Sequence, residues 1–318
     1  MKVLPVSDVN PEFFDFSALE FYSRYRRHPG FSREEITSIN EKDLTSAIES
    51  RQGFILADEN QVLALAASDL LEWDSHHFGL PMGRLECFSS PGCSPDMLAD
   101  LIGQTLELLD FRFGCKHISV EVDIDDYCTT NALISQQFEM MDVRRIYCVN
   151  SMRTDSSYTR FLSSVRSYDD KDYPEVAPIF DCLNFDTRFT RDPILDQGKV
   201  RAMYRIWFEK LLADNGSKAN TVVFERQGRI VGCGGVGETD LNIYGINRKI
   251  RSGALYGCLS EGTGGYNAVL YRFTSDALKS HGAIEASVSL NSPVTARAIE
   301  GIRPNKSVTR FCMRLYRR

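Results

Sequence analysis

At 318 residues the chain is long enough for two domains of ordinary size, each able to bury its own core. Hydrophobic content of 43% and charged content of 25% are those of a soluble globular protein, and a net charge of −6 offers no general attraction to nucleic acid or an anionic membrane. No apolar run approaches the ~20 residues of a membrane span. The opening Met1-Lys2-Val3-Leu4-Pro5 lacks the apolar core of a signal peptide, and nine cysteines without a single C-x-x-C pair point to a reducing cytoplasm with no zinc site and no disulfide framework.

In chain order, residues 1–50 read as polar and helical, with Ser32-Arg33-Glu34-Glu35 resembling a capping box. Residues 53–63 read as a hairpin, two apolar arms around the polar tip Asp58-Glu59-Asn60. The segment 73–85 is rich in loop formers and aromatics and leads into a strand near Leu85. A Ser/Pro/Gly loop at 89–95 precedes a long helix at 97–111, capped by Ser94 or Asp96. An alternating strand at 118–122 and a strand-like run at 145–149 close the first half. The polar stretch 152–172 marks the boundary, giving domains at 1–155 and 156–318. Helices are expected at 175–183 and 199–213, the second with Val200, Met203, Tyr204, Trp207 and Leu211 at helical spacing, ending in a turn at 213–217. The first half's order then recurs: hairpin at 221–231, helix at 266–281, alternating strand at 284–288, closing strand at 311–316. The chain reads as a duplicated α/β unit.

The two halves differ in one loop. Residues 254–266 run from a strand through Cys258-Leu259-Ser260-Glu261-Gly262-Thr263-Gly264-Gly265 into a helix. Glycines let backbone N–H groups approach a ligand without an intervening β-carbon. The helix start presents unpaired N–H groups and a positive dipole end, which suits a pyrophosphate. Downstream, the next strand leads to Asn291. This order of hairpin, strand, glycine loop, helix, strand, Asn, short helix and final strand resembles the GNAT acetyltransferase superfamily. More specifically, it resembles the nucleotide-sugar N-acetyltransferases of the TDP-fucosamine acetyltransferase kind. Three blocks carry the likeness: Leu71-Glu72-Trp73-Asp74-Ser75-His76-His77-Phe78-Gly79; Asn184-Phe185-Asp186-Thr187-Arg188-Phe189 with Met203-Tyr204-Arg205-Ile206-Trp207; and Gly257 through Asn291.

The resemblance implies an α/β (α+β) fold of tandem GNAT-like domains, each a mixed, largely antiparallel sheet flanked by helices. It implies acetyl-CoA as co-substrate, no metal, and an amino-sugar acceptor, with a second copy of the chain as an optional partner and neither nucleic acid nor membrane. Backbone groups of Cys258, Leu259 and Ser260 would bind the pantetheine arm. The N–H groups of Gly262, Thr263, Gly264 and Gly265 would hold the pyrophosphate, and Asn291 would bind the amide arm beside the chemistry. The matching first-half loop, 89–96, has lost its G-x-G and is read as structural or as part of the sugar pocket.

From the residues themselves, Glu238 after a strand is the candidate base for the attacking amine, with His281 and His76 behind it. Arg188, His76 and His77 are cations that suit a nucleotide diphosphate. The chain departs from the family pattern at Leu259, where Arg or Gln is usual. It departs at Glu261, since like charges at ~5 Å repel by about 3 kcal/mol at an effective dielectric near 20. It departs again at Ala298, where a tyrosine proton donor is expected, with Arg297 adjacent. Two other readings stay open: a non-catalytic GNAT-fold binding protein, and a tandem transferase directed at aminoacyl or peptide acceptors.

Overall fold

The apolar alternation read from the sequence condenses into strands, and long amphipathic segments cover them. The computed structural model describes residues 1–317 apart from Phe21, Ser23, Arg24, Pro29, Leu183, Asn184, 215–217 and Ala219, together with the side chain of Thr263. Asn184 of the second likeness block, and most of the expected 213–217 turn, therefore lie outside the described residues.

The chain divides into two compact units. Unit 1 holds Met1–Arg26, Arg33–Val143 and Thr309–Arg318; unit 2 holds Arg27–Ser32 and Arg144–Val308. The strands of unit 1 are β1 (Lys2–Pro5), β2 (Gln52–Asp58), β3 (Gln61–Leu70), β4 (Met82–Ser89), β5 (His117–Asp123) and the first part of β6 (Glu139–Val149). Unit 2 has the rest of β6, β7 (Val165–Ser167), β8 (Thr221–Arg226), β9 (Arg229–Asp240), β10 (Lys249–Cys258) and β11 (Ile284–Ser289). The last strand, β12 (Lys306–Tyr316), returns to unit 1.

In unit 1 the strand order is β1-β2-β3-β4-β5-β12, and in unit 2 it is β6-β11-β10-β9-β8-β7. Each sheet is antiparallel except for one parallel pair, β4/β5 in unit 1 and β10/β11 in unit 2. The last strand of each half has changed places. β12 pairs with β5 over Arg310↔Asp123 to Tyr316↔His117, and β6 pairs with β11 over Val149↔Ile284 to Arg144↔Ser289. Both hairpins carry a register shift just before the tip, at Leu56/Ala57 and at Phe224/Glu225, so the duplication reaches fine detail.

Unit 1 packs helix α1 (Arg33–Ser50) on one sheet face, with Leu44, Ala47 and Ile48 against Ile55, Val62 and Leu65. The described residues of 1–32 form a strand, single 3-10 turns and bends rather than the expected helix. Helix α2 (Glu72–Phe78) occupies the segment expected as a loop. It is fixed by Trp73 stacked on His77 one turn later and ended by Gly79, whose φ of 70° suits a residue without a β-carbon. Helix α3 (Pro95–Phe113) covers the other face, burying Leu98, Leu101, Ile102, Leu106 and Leu109 on Ala64, Ala66, Ile118 and Val120. Each of those side chains contributes about 1.5–3 kcal/mol. Ser94 caps α3, accepting from Met97 N–H, and α4 (Tyr127–Ser135) completes the layer.

Unit 2 repeats the plan. After α5 (Ser156–Thr159), helix α6 (Tyr173–Cys182), the single turn α7 (Arg188–Arg191) and helix α8 (Gln197–Ala213) cover one face. Phe180 and Phe208 stack at 4.2 Å over Val223, Ile230 and Cys233. Helices α9 (Tyr266–Ser280) and α10 (Pro293–Gly301) cover the other, with Ala268, Val269, Phe273 and Ala277 on Val222, Val231, Val236 and Val288. Among the described residues no helix is long and apolar enough to cross a membrane.

Candidate active site

The strand pair that leads into the glycine loop scarcely pairs. β10 and β11 are parallel and meet at a single rung, Arg251↔Ile284. Immediately beyond it β10 bulges between Ser252 and Leu255, where Gly253 takes a φ of 66° that side chains resist. Past the bulge β10 keeps its antiparallel bonds to β9, from Leu255↔Gly235 to Cys258↔Gly232, while β11 keeps its bonds to β6. The facing edges of the two strands diverge into a wedge-shaped cleft. Gly253 and Ala254 are exposed there, and Leu255 and Tyr256 half-buried. A β-strand edge with unused N–H and C=O groups takes an extended, amide-bearing ligand by strand addition.

At the open end the chain turns through Ser260–Gly265, a 3-10 segment, into α9. Leu259 N–H donates to Val231 O (2.9 Å) and Gly262 N–H to Leu259 O (2.8 Å). Packing explains two of the glycines. A β-carbon at Gly262 would lie 2.3 Å from the Val231 carbonyl oxygen, and one at Gly265 2.3 Å from the Phe224 ring. Gly264 differs in degree: a β-carbon there would crowd the Phe161 ring at 3.3 Å, and the residue itself is exposed. The Thr263 side chain lies outside the described residues.

Glu238 lies at the closed end of the wedge, directly across from Arg251. Its carboxylate meets His281 Nε2 at 3.1 Å and Lys249 Nζ at 3.6 Å, and accepts from Asn220 Nδ2 at 3.2 Å. Asn220 in turn accepts from Arg251 Nη2 at 2.5 Å, and His281 Nδ1 lies 2.5 Å from Ser280 Oγ. Two of the candidate bases are thus one hydrogen-bonded pair. Asn291 follows β11 at the open end of the cleft, exposed, with its backbone N–H donating to Ser289 Oγ at 3.1 Å.

The position where a tyrosine was expected, Ala298, is buried in α10. A tyrosine reaches it from elsewhere: Tyr158 of α5 donates to Ala298 O at 2.6 Å, and a β-carbon at Gly301 would overlap its hydroxyl. Burial, then the charge of Asp155, raises the Tyr158 pKa. Beside the loop, Tyr256 lies over Gly232, its hydroxyl without a hydrogen-bond partner and its pKa raised chiefly by burial. Tyr158 did not stand out in the sequence, because it lies in the polar stretch 152–172 read as the domain boundary.

Arg188 opens α7 in unit 2 with its guanidinium 4.8 Å over the Phe189 ring, in an aromatic group where Phe185 meets Tyr204 and Phe189 meets Trp207. His76 and His77 sit on α2 in unit 1; His76 is exposed, and His77 is stacked on Trp73 and meets Phe78 edge-on. Among the described residues no group of three or more His, Cys, Asp or Glu side chains could hold a metal ion.

No protein-family profile matches the sequence, and no curated protein does. Solved structures do match. One is a GCN5-related N-acetyltransferase from Sphaerobacter thermophilus, at a TM-score of 0.50 and 12% identity over 84% of this chain and 80% of that one. The fold is that of the GCN5-related N-acetyltransferases. Other similar structures include a GNAT-family acetyltransferase from Colwellia psychrerythraea (TM-score 0.45, 12% identity, 90% and 98% coverage). Another is a tandem GNAT protein of the clavulanic acid biosynthesis pathway (0.44, 10%, 86% and 87%). At these identities the likeness is one of fold, and the GNAT-like repeat within this chain rests on its own two sheets.

Proposed function

We propose that the chain is an acyltransferase that moves an acetyl group from acetyl-CoA to an amine, with an amino sugar carried on a nucleotide as the acceptor. The observation that carries this reading is the wedge between β10 and β11, joined at one rung, bulged at Gly253 and floored by the glycine loop. The free edge of β10 through Cys258 fits the amide-bearing pantetheine arm, while the Leu259 backbone is already engaged by Val231 O and Gly262 N–H. Gly262 N–H is already given to Leu259 O, so the part of the loop we assign to the phosphates is Thr263, Gly264 and Gly265, and Asn291 stands at the same mouth for the amide arm.

When bound, acetyl-CoA supplies the thioester. With its phosphates at the loop, the acyl end points along β10 towards the bulge and the closed end of the wedge. Glu238 stands there with His281, positioned to take the proton that the amine loses as its nitrogen attacks the carbonyl carbon and the C–S bond breaks. That proton leaves with the thiol. Within unit 2, Arg188 in its aromatic group is the cation we assign to the acceptor's diphosphate. A second reading, a GNAT-fold protein that binds without turnover, is favoured by Leu259, Glu261 and Ala298.

Isothermal titration of acetyl-CoA into the wild type and a Gly264→Trp variant tests the first step. Micromolar binding that the variant loses supports the site, and screening amino-sugar nucleotides for thiol release then separates transferase from binding protein. A wild type that binds no acetyl-CoA sinks the reading.

A further inference from the structure

The β8–β9 hairpin beside the glycine loop is built around an unfavourable pair. Its two-residue turn, Gln227-Gly228, has φ values of 52° and 75°, which sets Arg226 and Arg229 directly opposite one another as the last rung. Side chains in that relation stand ~5 Å apart at their β-carbons, and like charges there repel. Both arginines are exposed, and Arg226 reaches the glycine loop. Arg226 Nη1 donates to the Glu261 carbonyl at 2.9 Å. The Glu261 carboxyl is held below its ordinary range first by its own backbone N–H, then by the Ser260 hydroxyl, then by Arg229 and Arg226. The other nearby acid, Glu225, is paired with Arg166 at 2.7 Å.

Between hairpin and loop lies a cavity of about 160 Å³ whose walls include Arg226, Glu261, Gly264, Phe161 and Phe224. That is below the ~300 Å³ of a pocket for a whole small ligand and has room for one charged end of a longer one. Gly264, where a β-carbon would crowd the Phe161 ring at 3.3 Å, is part of the same wall.

We propose that Arg226 and Arg229 form the receptor for the phosphate groups of the ligand, and that Glu261, which lines the same cavity and whose carbonyl holds Arg226, competes with the phosphate there. The assignment rests on the acyl-CoA reading for the ligand's identity but not for its charge. It resolves the two departures at the loop. Leu259 needs no cation because the hairpin supplies two, and Glu261 does not oppose the phosphate in place but yields to it. A phosphate presents more charge and a geometry that two guanidinium groups engage in a forked manner. Glu261 is exposed, and its carboxylate accepts from the Ser260 hydroxyl of the same loop at 3.1 Å.

The experiment is isothermal titration of two probes, inorganic pyrophosphate and acetyl-CoA, into the wild type, the Arg226→Gln/Arg229→Gln double variant and Glu261→Gln, at low and moderate salt. All substitutions are at exposed positions, and a thermal melt checks that each variant is folded. The double variant is expected to weaken whichever probe the wild type binds by about tenfold or more, and to flatten the salt dependence. Glu261→Gln is expected to tighten it. Binding by the double variant as tight as wild type overturns the proposal, as does a wild type that binds neither probe. Acetyl-CoA bound equally by wild type and double variant removes the arginine receptor and keeps the acyl-CoA reading. Pyrophosphate bound through the arginines, with acetyl-CoA refused, keeps the receptor and removes that reading.

Discussion

The clefts of the two units start from the same topology and end in opposite states. In unit 1, β4 and β5 pair over four rungs, Met82↔His117 to Leu85↔Val120, before diverging. The chain's own N-terminal segment then ties the diverging ends. Glu20 N–H donates to Ser89 O at the end of β4 (3.0 Å), and Arg26 grips Asp123 at the end of β5 (2.5 Å) and Asp125 (2.8 Å). Arg310 of β12 holds the Tyr22 carbonyl between them (2.6 Å). The loop that follows β4 has little left to offer an anion: Ser90 N–H donates to Leu63 O, Cys93 N–H to Ser90 O and Met97 N–H to Ser94 Oγ. In unit 2 the same strand pair has one rung, a bulge and an exposed edge. Duplication preserved the wedge, and what differs is whether the protein fills it with itself.

That contrast can be broken hardest at Arg26. Its partner Asp123 has a fully buried side chain, so Arg26→Ala leaves a buried carboxylate uncompensated and should cost about 3–5 kcal/mol in urea unfolding. Amide exchange across residues 18–26 should rise in the same variant. Acetyl-CoA stoichiometry should stay at one per chain, because the loop after β4 still spends its N–H groups internally; a second site appearing would refute the comparison.

The loops themselves differ more mildly. Gly262→Ala forces a β-carbon onto the Val231 carbonyl and should destabilise unit 2 by about 1–3 kcal/mol. Gly92→Ala, with only Ser90 Oγ at 3.8 Å, should stay within about 0.5 kcal/mol. Equal melting shifts for the two would remove the distinction between a packed and an unpacked loop.

Each unit also has an arginine clamp, and only that of unit 1 closes a cleft. In unit 2, Arg166 takes Asp172 with two bonds (2.7 and 2.9 Å) at the β7 edge of the sheet. The Arg166 bond, ahead of the opposing effect of burial, holds the Asp172 carboxyl below its ordinary value of 3.8. A depressed folded-state pKa means stability fully present above pH 3.8 and lost as pH falls through the folded value. Asp172→Asn should therefore be less stable than wild type at neutral pH, with the gap narrowing in acid. This is the smallest of the expected effects, because Arg166 is well exposed, and acetyl-CoA binding should not change with it.

Much of this was legible in the residues. Both hairpins, the helices over α3, α8 and α9, the strand at β5 and the glycine loop follow from local periodicity and turn chemistry, which act over a few residues. The helix α2 was hidden by its loop-forming composition, since a stacked Trp73–His77 pair and a left-handed Gly79 outweigh weak propensity. The approach of Glu238 to His281 was not legible, nor was the delivery of Tyr158 to Ala298, because these are meetings of distant segments. Composition marked Gly262, Gly264 and Gly265 alike. Only the packing shows that two admit no β-carbon at all, while the third is crowded by the Phe161 ring alone.

By itself, then, the sequence determined a duplicated α/β unit with one glycine-bearing loop, because hydrophobic period and turn residues are local properties. Tertiary structure decided which strand closes each sheet and which cleft is tied shut. It also decided where the cations stand about the glycine loop. Those outcomes depend on side chains far apart in the chain meeting on a shared surface, and no local pattern encodes them.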